Sequence, residues 1–475
     1  MLLRKNSRVL LFAKEEFMKK STNLLEGPIF QTLMKLALPI MGTSLIQMAY
    51  NLIDMIWIGK LGASAVAAVG SAGMYMWLSN GISALARMGG QVCVGQSLGS
   101  HQKQEATNYA GATIQLGILF GIIFGLVTFL FYQPMIGFFH LTSKEVIHQA
   151  EIYLIVTCGF VVINFLNQIY TSLMTAIGNS HHPFIATTIG LILNIFLDPL
   201  FIFAFEMGVL GAAVATVISQ IIVLLMMIYY AKKDTLLFDE VKLKKKYTKP
   251  VFSRILKIGL PTGLQSLCFT FISMVIARFI AGYGDVAIAV QKVGSQIESI
   301  SWMSADGFGS ALNAFVAQNY GANNIERVKK GTYSALKTCV LWGIFTTCVL
   351  YFFPQFIFQI FISEKDVIPL GVDYLQILAL SQLFMCIEST LAGTLNGLGK
   401  TFIPSFISVT LTAARIPLVM ILSATALGLN GIWWSISLSS ILKGVVITIC
   451  FIFVIKKLTK KPIEYEPPLS SRQVK

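Results

Sequence analysis

The sequence repeats itself at a constant offset of nearly half its length, and this repeat constrains the fold more than any other feature. Pro39 returns as Pro261 and Gln96 returns as Gln318, and the offset between the two members is the same in both pairs. A repeat of this length in a strongly hydrophobic chain predicts two homologous membrane bundles side by side. Such a layout places a site between or within two halves that can move against each other.

The composition also predicts a membrane protein. The chain has 475 residues, of which 55% are hydrophobic and 12% are charged, and its mean hydropathy is +0.73. A soluble protein of this size has about twice that charged fraction. Apolar stretches of about 20 residues recur along the chain, and α-helices satisfy all their backbone groups within lipid. We predict an all-α integral membrane fold of twelve transmembrane helices in two pseudo-symmetric six-helix lobes, near residues 31–58, 65–90, 108–132, 148–175, 183–205, 208–231, 253–281, 286–314, 331–353, 368–395, 402–426 and 430–455.

The distribution of positive charge predicts the orientation of these helices. The net charge is +14, and the basic residues gather in the two tails and in the central segment 232–257. With twelve spans these segments fall on one side, and the opposite loops hold only Lys60, Lys144 and Lys365. Because basic loops stay inside the cell, both termini and the central loop are expected in the cytoplasm. No basic face is interleaved with exposed aromatic residues, so nucleic-acid binding is excluded.

Five segments follow from the helix pattern and the charge pattern. Whether Met1 or Met18 is the first residue is left open by the sequence. The segments are a cytoplasmic N-terminal tail (1–30), an N-lobe (31–231), a cytoplasmic linker (232–252), a C-lobe (253–456) and a cytoplasmic C-terminal tail (457–475).

The sequence lacks the cysteine spacings and the phosphate-binding loop that are typical of metal-binding or nucleotide-hydrolysing enzymes. The seven cysteines fall inside predicted spans or, for Cys93, just beyond the end of one, without CxxC spacing, so they are expected to be buried apolar residues. No glycine-rich phosphate loop followed by Lys and Ser or Thr occurs. We therefore expect neither an enzyme nor a resident cofactor or metal.

Ionisable groups inside membrane spans are costly, so they are the strongest functional candidates. Asp54 lies about 8 Å below the outer end of the first helix, and Asp198 lies about 10 Å below the end of the fifth. Asn194 precedes Asp198 by one turn. Thr216 and Tyr153, on helices six and four, fall at a depth of about 12 Å and about 8 Å. This oxygen-rich set suits protons or a hard cation such as Na⁺; the alternative is that each group bonds a neighbouring backbone.

Taken together, several sequence motifs resemble those of the multidrug and toxic compound extrusion (MATE) transporters. The resemblance covers nearly the whole chain after about residue 25. The first half carries LALPIM with Pro39, NLIDMIWIGKLG, GQSLGS, AIGNSHHPF, LNIFLDPLFIF and GAAVATVIS, and the second half carries IGLPTGLQS, FVAQNYGA, NGLGKTFIPS and LNGIWWSIS.

The resemblance implies a fold and an activity. It implies two lobes around a V-shaped cavity that opens alternately outward and inward, in a monomer in the bacterial cytoplasmic membrane. It implies export of organic cations in exchange for Na⁺ or H⁺. It also implies that Asp54, Asn194, Asp198 and Thr216 form an N-lobe cation site, with Gln47 and Tyr153 as nearby polar residues.

The second half departs from a simple copy of the first. At the repeat offset, Ile276 and Met420 stand where the first half has Asp54 and Asp198. The second half instead carries acidic residues elsewhere. They are candidates for a second coupling site or for internal ion pairs that set lobe packing; they are Glu298, Asp306 and Glu388.

Two further expectations concern single residues of the first half. Pro39 removes a backbone hydrogen bond inside the first helix and is expected to let it bend. Arg87 is expected to extend toward the inner face of the membrane.

Other functions remain open at this stage. A flippase for lipid-linked precursors of the same broad superfamily is the main alternative, although such proteins often have extra helices and a strongly cationic cavity. A membrane enzyme or receptor is disfavoured because no catalytic constellation is found.

Overall fold

The computed structural model describes residues 21–141, 143–361, 364 and 367–460. The basic residues of the N-terminal tail, those from Lys461 onward and Lys365 lie outside these residues. Helices dominate the described part of the chain, and one short 3₁₀ turn lies in the linker. The helices are α1 Ile29–Gly59, α2 Ala63–Gly99, α3 Lys103–Gly137, α4 Lys144–Gly159, α5 Val161–Ala176, α6 His181–Pro199, α7 Gly208–Lys233, α8 Lys249–Ala281, α9 Asp285–Gly321, α10 Ile325–Phe352, α11 Pro354–Gln359, α12 Ile368–Gly397, α13 Phe402–Ala413, α14 Arg415–Ser423 and α15 Leu429–Lys460.

These helices form twelve rods at the predicted positions, but four of the rods are not regular α-helices throughout. The third, α3, is kinked at Phe131, where the backbone angles are not helical. The fourth rod bends by 43° between α4 and α5. The fifth continues from α6 into a π-helical turn, Leu200–Ala204. The eleventh is interrupted at Ala414, between α13 and α14. The interruption has a local cause, because the ring of Pro417 clashes with the carbonyl group of Ala413 four residues earlier.

Most of the rods are apolar enough to cross a membrane. In the described residues, nine helices are long and apolar enough to cross a membrane, and the number is ten if the bent pair α4 and α5 counts as one span. The other two rods are α2 and α9, each 37 residues long. Both pack mainly against other helices, including helices of the opposite half. A helix enclosed by protein need not be apolar on every face, so their polar residues are compatible with a central position.

The backbone carries the repeat more clearly than the side chains do. Helices α2 and α9 have equal length, and the first residues of α3 and α10, Lys103 and Ile325, are separated by the same offset as Pro39 and Pro261. Residues with positive φ recur at the equivalent turns of the two halves, in the pairs Gly62 and Gly284, His101 and Asn323, Gly178 and Gly399, and Gly208 and Gly428. The two halves are therefore two copies of one bundle.

The first helix of each half packs against the second helix of the other half. In one contact, Met41 of α1 lies against Gly307 of α9, where a Cβ atom would come within 2.8 Å of the methionine side chain. In the mirrored contact, a Cβ atom on Gly259 of α8 would lie 1.8 Å from the backbone oxygen of Leu85 on α2. This exchange ties the two lobes together along the middle of the molecule.

A seal closes one end of the lobe interface. We define the linker end as the end that carries the linker and the turns after α2 and α9. There, Gln96 Nε2 donates to the Gly397 oxygen at 3.0 Å, and its repeat partner Gln318 Nε2 donates to the Ala176 oxygen at 2.6 Å. Both bonds cross between the lobes, and both glutamines are buried. The repeated glutamine thus makes the same lobe-to-lobe hydrogen bond twice.

The seal also brings the two backbones into direct contact. A Cβ atom on Gly99 would lie 1.9 Å from the Gln318 oxygen, and one on Gly321 would lie 2.0 Å from the Gln96 oxygen. Small residues let membrane helices approach this closely. No side chain larger than hydrogen fits at either position without moving the lobes apart.

We predict that Gly99→Ala and Gly321→Ala each lower the thermal stability of the purified protein. Overpacking a tight contact costs about 1–3 kcal/mol. The matched control is Gly73→Ala in α2, because a Cβ atom there meets nothing within 4 Å. Since alanine favours a helix over glycine, the control is expected to be neutral or stabilising. The check is the midpoint of thermal unfolding in detergent; equal midpoints for Gly99→Ala and Gly73→Ala would contradict the close contact.

Candidate functional site

The first side of the site comes from α1. Tyr50 and Asp54 are four residues apart on this helix, so they lie on the same face. The Tyr50 hydroxyl is 2.8 Å from the Thr216 hydroxyl of α7. Pro39 lies inside α1, which is continuous from Ile29 to Gly59, and the Pro39 oxygen accepts a hydrogen bond from Thr43 Oγ1 at 2.9 Å. The helix that carries Asp54 also contacts the other lobe, through Met41.

The second side of the site comes from the end of α6. Asn194 Nδ2 donates to Asp198 Oδ1 at 3.0 Å, and both side chains are buried. Pro199 lacks a backbone N–H, and the chain continues as the π-helical turn. Turns of this kind often mark functional sites. This irregular turn directly follows the most deeply buried carboxyl group of the lobe.

Small residues bring the third helix close. A Cβ atom on Gly211 of α7 would lie 2.6 Å from the backbone of Phe201 in the π-helical turn. Ala212, Ala213 and Ala215 follow it and are fully buried. The segment GAAVAT therefore lets α7 approach α6 at backbone distance, and Thr216 at its end lies within hydrogen-bond distance of α1.

The two carboxyl groups are the centre of this cluster. Asp54 and Asp198 lie within side-chain hydrogen-bond range of each other. Two carboxyl groups share a hydrogen bond only when one carries a proton, and they repel when both are ionised with no cation between them. Three buried oxygens of the cluster have no hydrogen-bond partner: Asp54 Oδ1, Asn194 Oδ1 and Asp198 Oδ2. The arrangement can hold a proton or a small cation with oxygen ligands.

The structure brings together most of the residues that were singled out in the first half. Asp54, Asn194, Asp198 and Thr216 join in one cluster, and Tyr153 is buried and close enough to interact electrostatically with both aspartates. Gln47, in contrast, is exposed on α1.

The cluster contains one residue that the sequence analysis did not include, Tyr50. Its spacing of one turn before Asp54 was a signal that could have identified it.

The acidic residues of the second half have polar or basic partners. Glu298 accepts hydrogen bonds from the Tyr374 hydroxyl at 3.0 Å and from Gln382 Nε2 at 3.2 Å. Glu388 forms an ion pair with Lys443 at 3.2 Å. The side chain of Asp306 accepts a hydrogen bond from Ser389 Oγ at 3.1 Å.

These acidic residues do not reproduce the pair of the first half. Ile276 is buried among apolar residues, and Met420 is exposed on its helix. In the described residues, no group of three or more His, Cys, Asp or Glu side chains could hold a metal ion.

Arg87 was expected to extend toward the inner face of the membrane, but it lies inside the molecule. Its side chain lines a cavity between the lobes together with Asp306.

Comparison with known proteins gives a consistent result. A family model described as MatE matches residues 39–200 and again residues 261–421. The probable multidrug resistance protein NorM of Thermotoga maritima is 28% identical over 414 residues, which cover 85% of this chain and 88% of that protein. The multidrug export protein MepA of Staphylococcus aureus is 26% identical over 421 residues, covering 86% and 91%.

Solved structures share the fold. A structure described as the outward-facing conformation of a multidrug resistance MATE family transporter of the MOP superfamily has a TM-score of 0.86 and 22% identity. It covers 93% of this chain and 99% of that one. A crystal structure of MATE in complex with MaL6 has a TM-score of 0.87 with 93% and 100% coverage.

The predicted fold class and the predicted absence of an enzyme are thereby confirmed, since the repeated match falls on the two lobes and its family consists of transporters. The chain belongs to the MATE family of integral membrane transporters.

Proposed function

We propose that this protein exports organic, mainly cationic, drugs and toxic compounds in exchange for Na⁺ or H⁺, by alternating access. The observation that carries the proposal is the buried carboxyl pair Asp54 and Asp198, with its unpartnered oxygens and no basic partner in the described contacts. The names of the relatives, which describe multidrug resistance and multidrug export proteins, support the substrate class.

The N-lobe cluster is the coupling site in this proposal. When both carboxyl groups are ionised and no cation is bound, they repel each other. Proton or cation binding removes this repulsion and lets α1 pack closer to α6. Because α1 also packs against α9 of the other lobe, a change at Asp54 reaches the lobe interface. The bound ion shifts the balance of states only through its different affinity for them.

The acidic residues of the C-lobe have different roles in this proposal. The ion pair of Glu388 with Lys443 sets helix packing, since each charge is neutralised by the other and the lysine is buried. Glu298, which has two hydrogen-bond donors but no ion pair of its own, is the candidate for a second coupling site.

The orientation of the protein follows from its basic segments. We infer that the linker 232–252 and the tails 1–30 and 457–475 lie in the cytoplasm of a bacterial cell, since basic loops remain inside. The glutamine seal then closes the cytoplasmic end, and the conformation is outward-facing.

The first test replaces the two aspartates. Asp54→Asn and Asp198→Asn are each expected to reduce active export of rhodamine 123 from loaded cells to the level of passive leak, because asparagine keeps the shape but cannot ionise. The matched control is Glu206→Gln, an equivalent change at an exposed position beyond the end of α6. Membrane expression of each variant is measured alongside. Efflux at the wild-type rate in either aspartate variant would remove that residue from the coupling role.

The orientation is tested by cysteine labelling. Lys244→Cys and Lys144→Cys are introduced singly after replacement of the seven native cysteines, at exposed positions on opposite ends. An impermeant maleimide is expected to label position 144 in intact cells and position 244 only after permeabilisation. Labelling of position 244 in intact cells would overturn the topology.

The coupling mechanism predicts that ion binding and drug binding oppose each other. The Kd of rhodamine 123 in detergent is titrated with Na⁺ at high pH, and separately with H⁺ in Na⁺-free buffer. We expect the Kd to rise by about fivefold or more with at least one of the two ions, and the responsive ion identifies the coupling ion. Asp198→Asn should abolish the response. A Kd that is indifferent to both ions would contradict the antagonism.

A further inference from the structure

A second polar feature lies between the lobes, away from the N-lobe carboxyl pair. It is a cavity of about 120 Å³, walled by α2 on one side and by α9 and α12 on the other. Its polar lining includes Arg87, Gln91, Asp306, Asn313, Ser389 and Asn396. Its lining runs along α2 from Arg87 to Gln91 and includes Asn396, which adjoins Gly397, the acceptor of the Gln96 hydrogen bond, so the cavity lies next to the glutamine seal.

The two walls of this cavity differ in rigidity. On the C-lobe side, α9 and α12 touch backbone to backbone, since a Cβ atom on Gly393 would lie 2.2 Å from the Gly309 oxygen. Across the lobes the contacts are weaker: Gln91 Nε2 is 3.5 Å from the Ser310 oxygen, and Asn313 Nδ2 is 3.2 Å from a methionine sulfur. Sulfur is a weak acceptor. The C-lobe wall is therefore preformed, whereas the hydrogen bonds from α2 to this wall are weak. The N-lobe wall is held to the C-lobe mainly by the contact of α2 with α8 at Gly89.

The charges of the two walls are opposite. Arg87 stands on the N-lobe side and Asp306 on the C-lobe side. The four ion pairs in the described part of the chain are formed by other residues, so the guanidinium and the carboxylate face one cavity without a direct ion pair. Arg87 Nε, Asn313 Oδ1 and Asn396 Oδ1 are buried and have no hydrogen-bond partner. Donors and acceptors thus remain available to a ligand on both walls.

We propose that this cavity is a substrate subsite for the charged end of amphoteric molecules, which carry a carboxylate and a cationic nitrogen. The carboxylate binds the Arg87 guanidinium, and the cationic group binds Asp306. The inference rests on the proposed export function and names a substrate class for it. A drug-sized pocket measures about 300–1,000 Å³, so the cavity holds only this charged end, and the rest of the molecule extends into the cleft.

The balance of charge favours an amphoteric ligand over a simple ion. An organic cation without an anionic group pairs with Asp306 and leaves the Arg87 guanidinium without a partner. An anion without a cationic group pairs with Arg87 and leaves the Asp306 carboxylate without a partner. A ligand with both charges satisfies both walls. The cavity has one positive and one negative group, unlike the N-lobe pair, so it is not a second copy of the cation site.

The subsite also bears on the transport cycle. Its two charged groups belong to different lobes, so a ligand that bridges them binds best while the walls are close. Such a ligand favours the state in which the lobes meet here. Movement of the N-lobe wall separates the two groups and releases the ligand.

The test compares two dyes that share one scaffold. Rhodamine 110 carries a free carboxylate and a cationic ring system, and rhodamine 123 is its methyl ester and lacks the anionic group. Their Kd values are measured by fluorescence polarisation with purified full-length protein. The wild type is expected to bind rhodamine 110 more tightly. In Arg87→Gln this preference is expected to fall by about tenfold or more, because a charge-assisted hydrogen bond is lost.

Three variants control the result. Arg87→Lys keeps the charge and is expected to retain part of the preference. Arg278→Gln, at an exposed arginine near the end of α8, is expected to leave the preference unchanged. Asp306→Asn removes the partner of the cationic group, so it is expected to weaken binding of both dyes. Measurable binding of rhodamine 123 by Arg87→Gln shows that this variant is folded.

The outcomes are separable from those for the export function. No preference for rhodamine 110 in the wild type, an unchanged preference in Arg87→Gln, or no binding of rhodamine 110 overturns the subsite. Efflux of rhodamine 123 driven by an imposed Na⁺ or H⁺ gradient in proteoliposomes tests the export function by itself. That efflux can succeed while the subsite fails.

Discussion

Two backbones in contact at the linker end set the geometry on which the rest of the molecule depends. Gly99 lies against the Gln318 backbone and Gly321 lies against the Gln96 backbone, at distances that exclude any side chain. The two glutamines then hydrogen-bond across the interface to the last turns of α12 and α5. Because the lobes are held together here, their interface is closed at the linker end.

Three groups of ionisable residues in the described part of the chain differ in net charge. The N-lobe cluster has two carboxyl groups and no basic residue, so it attracts a proton or a cation. The pair of Glu388 and Lys443 is neutral and closed, and each charge is satisfied by the other. The cavity of Arg87 and Asp306 is neutral but open, with its two charges on different lobes. Net charge and closure therefore separate the proposed ion site, the ion pair of Glu388 and Lys443, and the proposed ligand subsite.

The sequence predicted the features that depend on fixed helical geometry. The rise per residue of a helix is constant, so the depths of Asp54, Asp198 and Thr216 could be compared before any contact was known. The repeat predicted two lobes because two similar stretches of sequence form similar bundles. The local breaks could also have been found, since Pro417 stands three residues after the interruption at Ala414, and Gly159 stands at the bend between α4 and α5.

The remaining features depend on which helices become neighbours across the lobes, and a single sequence does not contain that information. An arginine inside a membrane helix usually extends its side chain toward the membrane surface. Arg87 does not, because α2 packs against helices of the other half. Nothing in the sequence indicates that Asp306 lines the same cavity as Arg87. Tyr50 joins the cation cluster only because α7 approaches closely enough to place Thr216 beside it.

The symmetry of the seal and the asymmetry of the ion site have different consequences for transport. The repeat gives the linker end two equivalent hydrogen bonds, so neither lobe alone controls its opening. The carboxyl pair, in contrast, occurs in one lobe, because Ile276 and Met420 occupy the equivalent positions in the other. The glutamine seal, which both lobes form in the same way, contains no group that binds a coupling ion. An ion that binds one lobe changes the packing of that lobe alone, and a difference in affinity between states is all that is needed to bias the shared gate. In the proposed mechanism the coupling energy therefore enters through α1, which carries Asp54 and also contacts the opposite lobe through Met41.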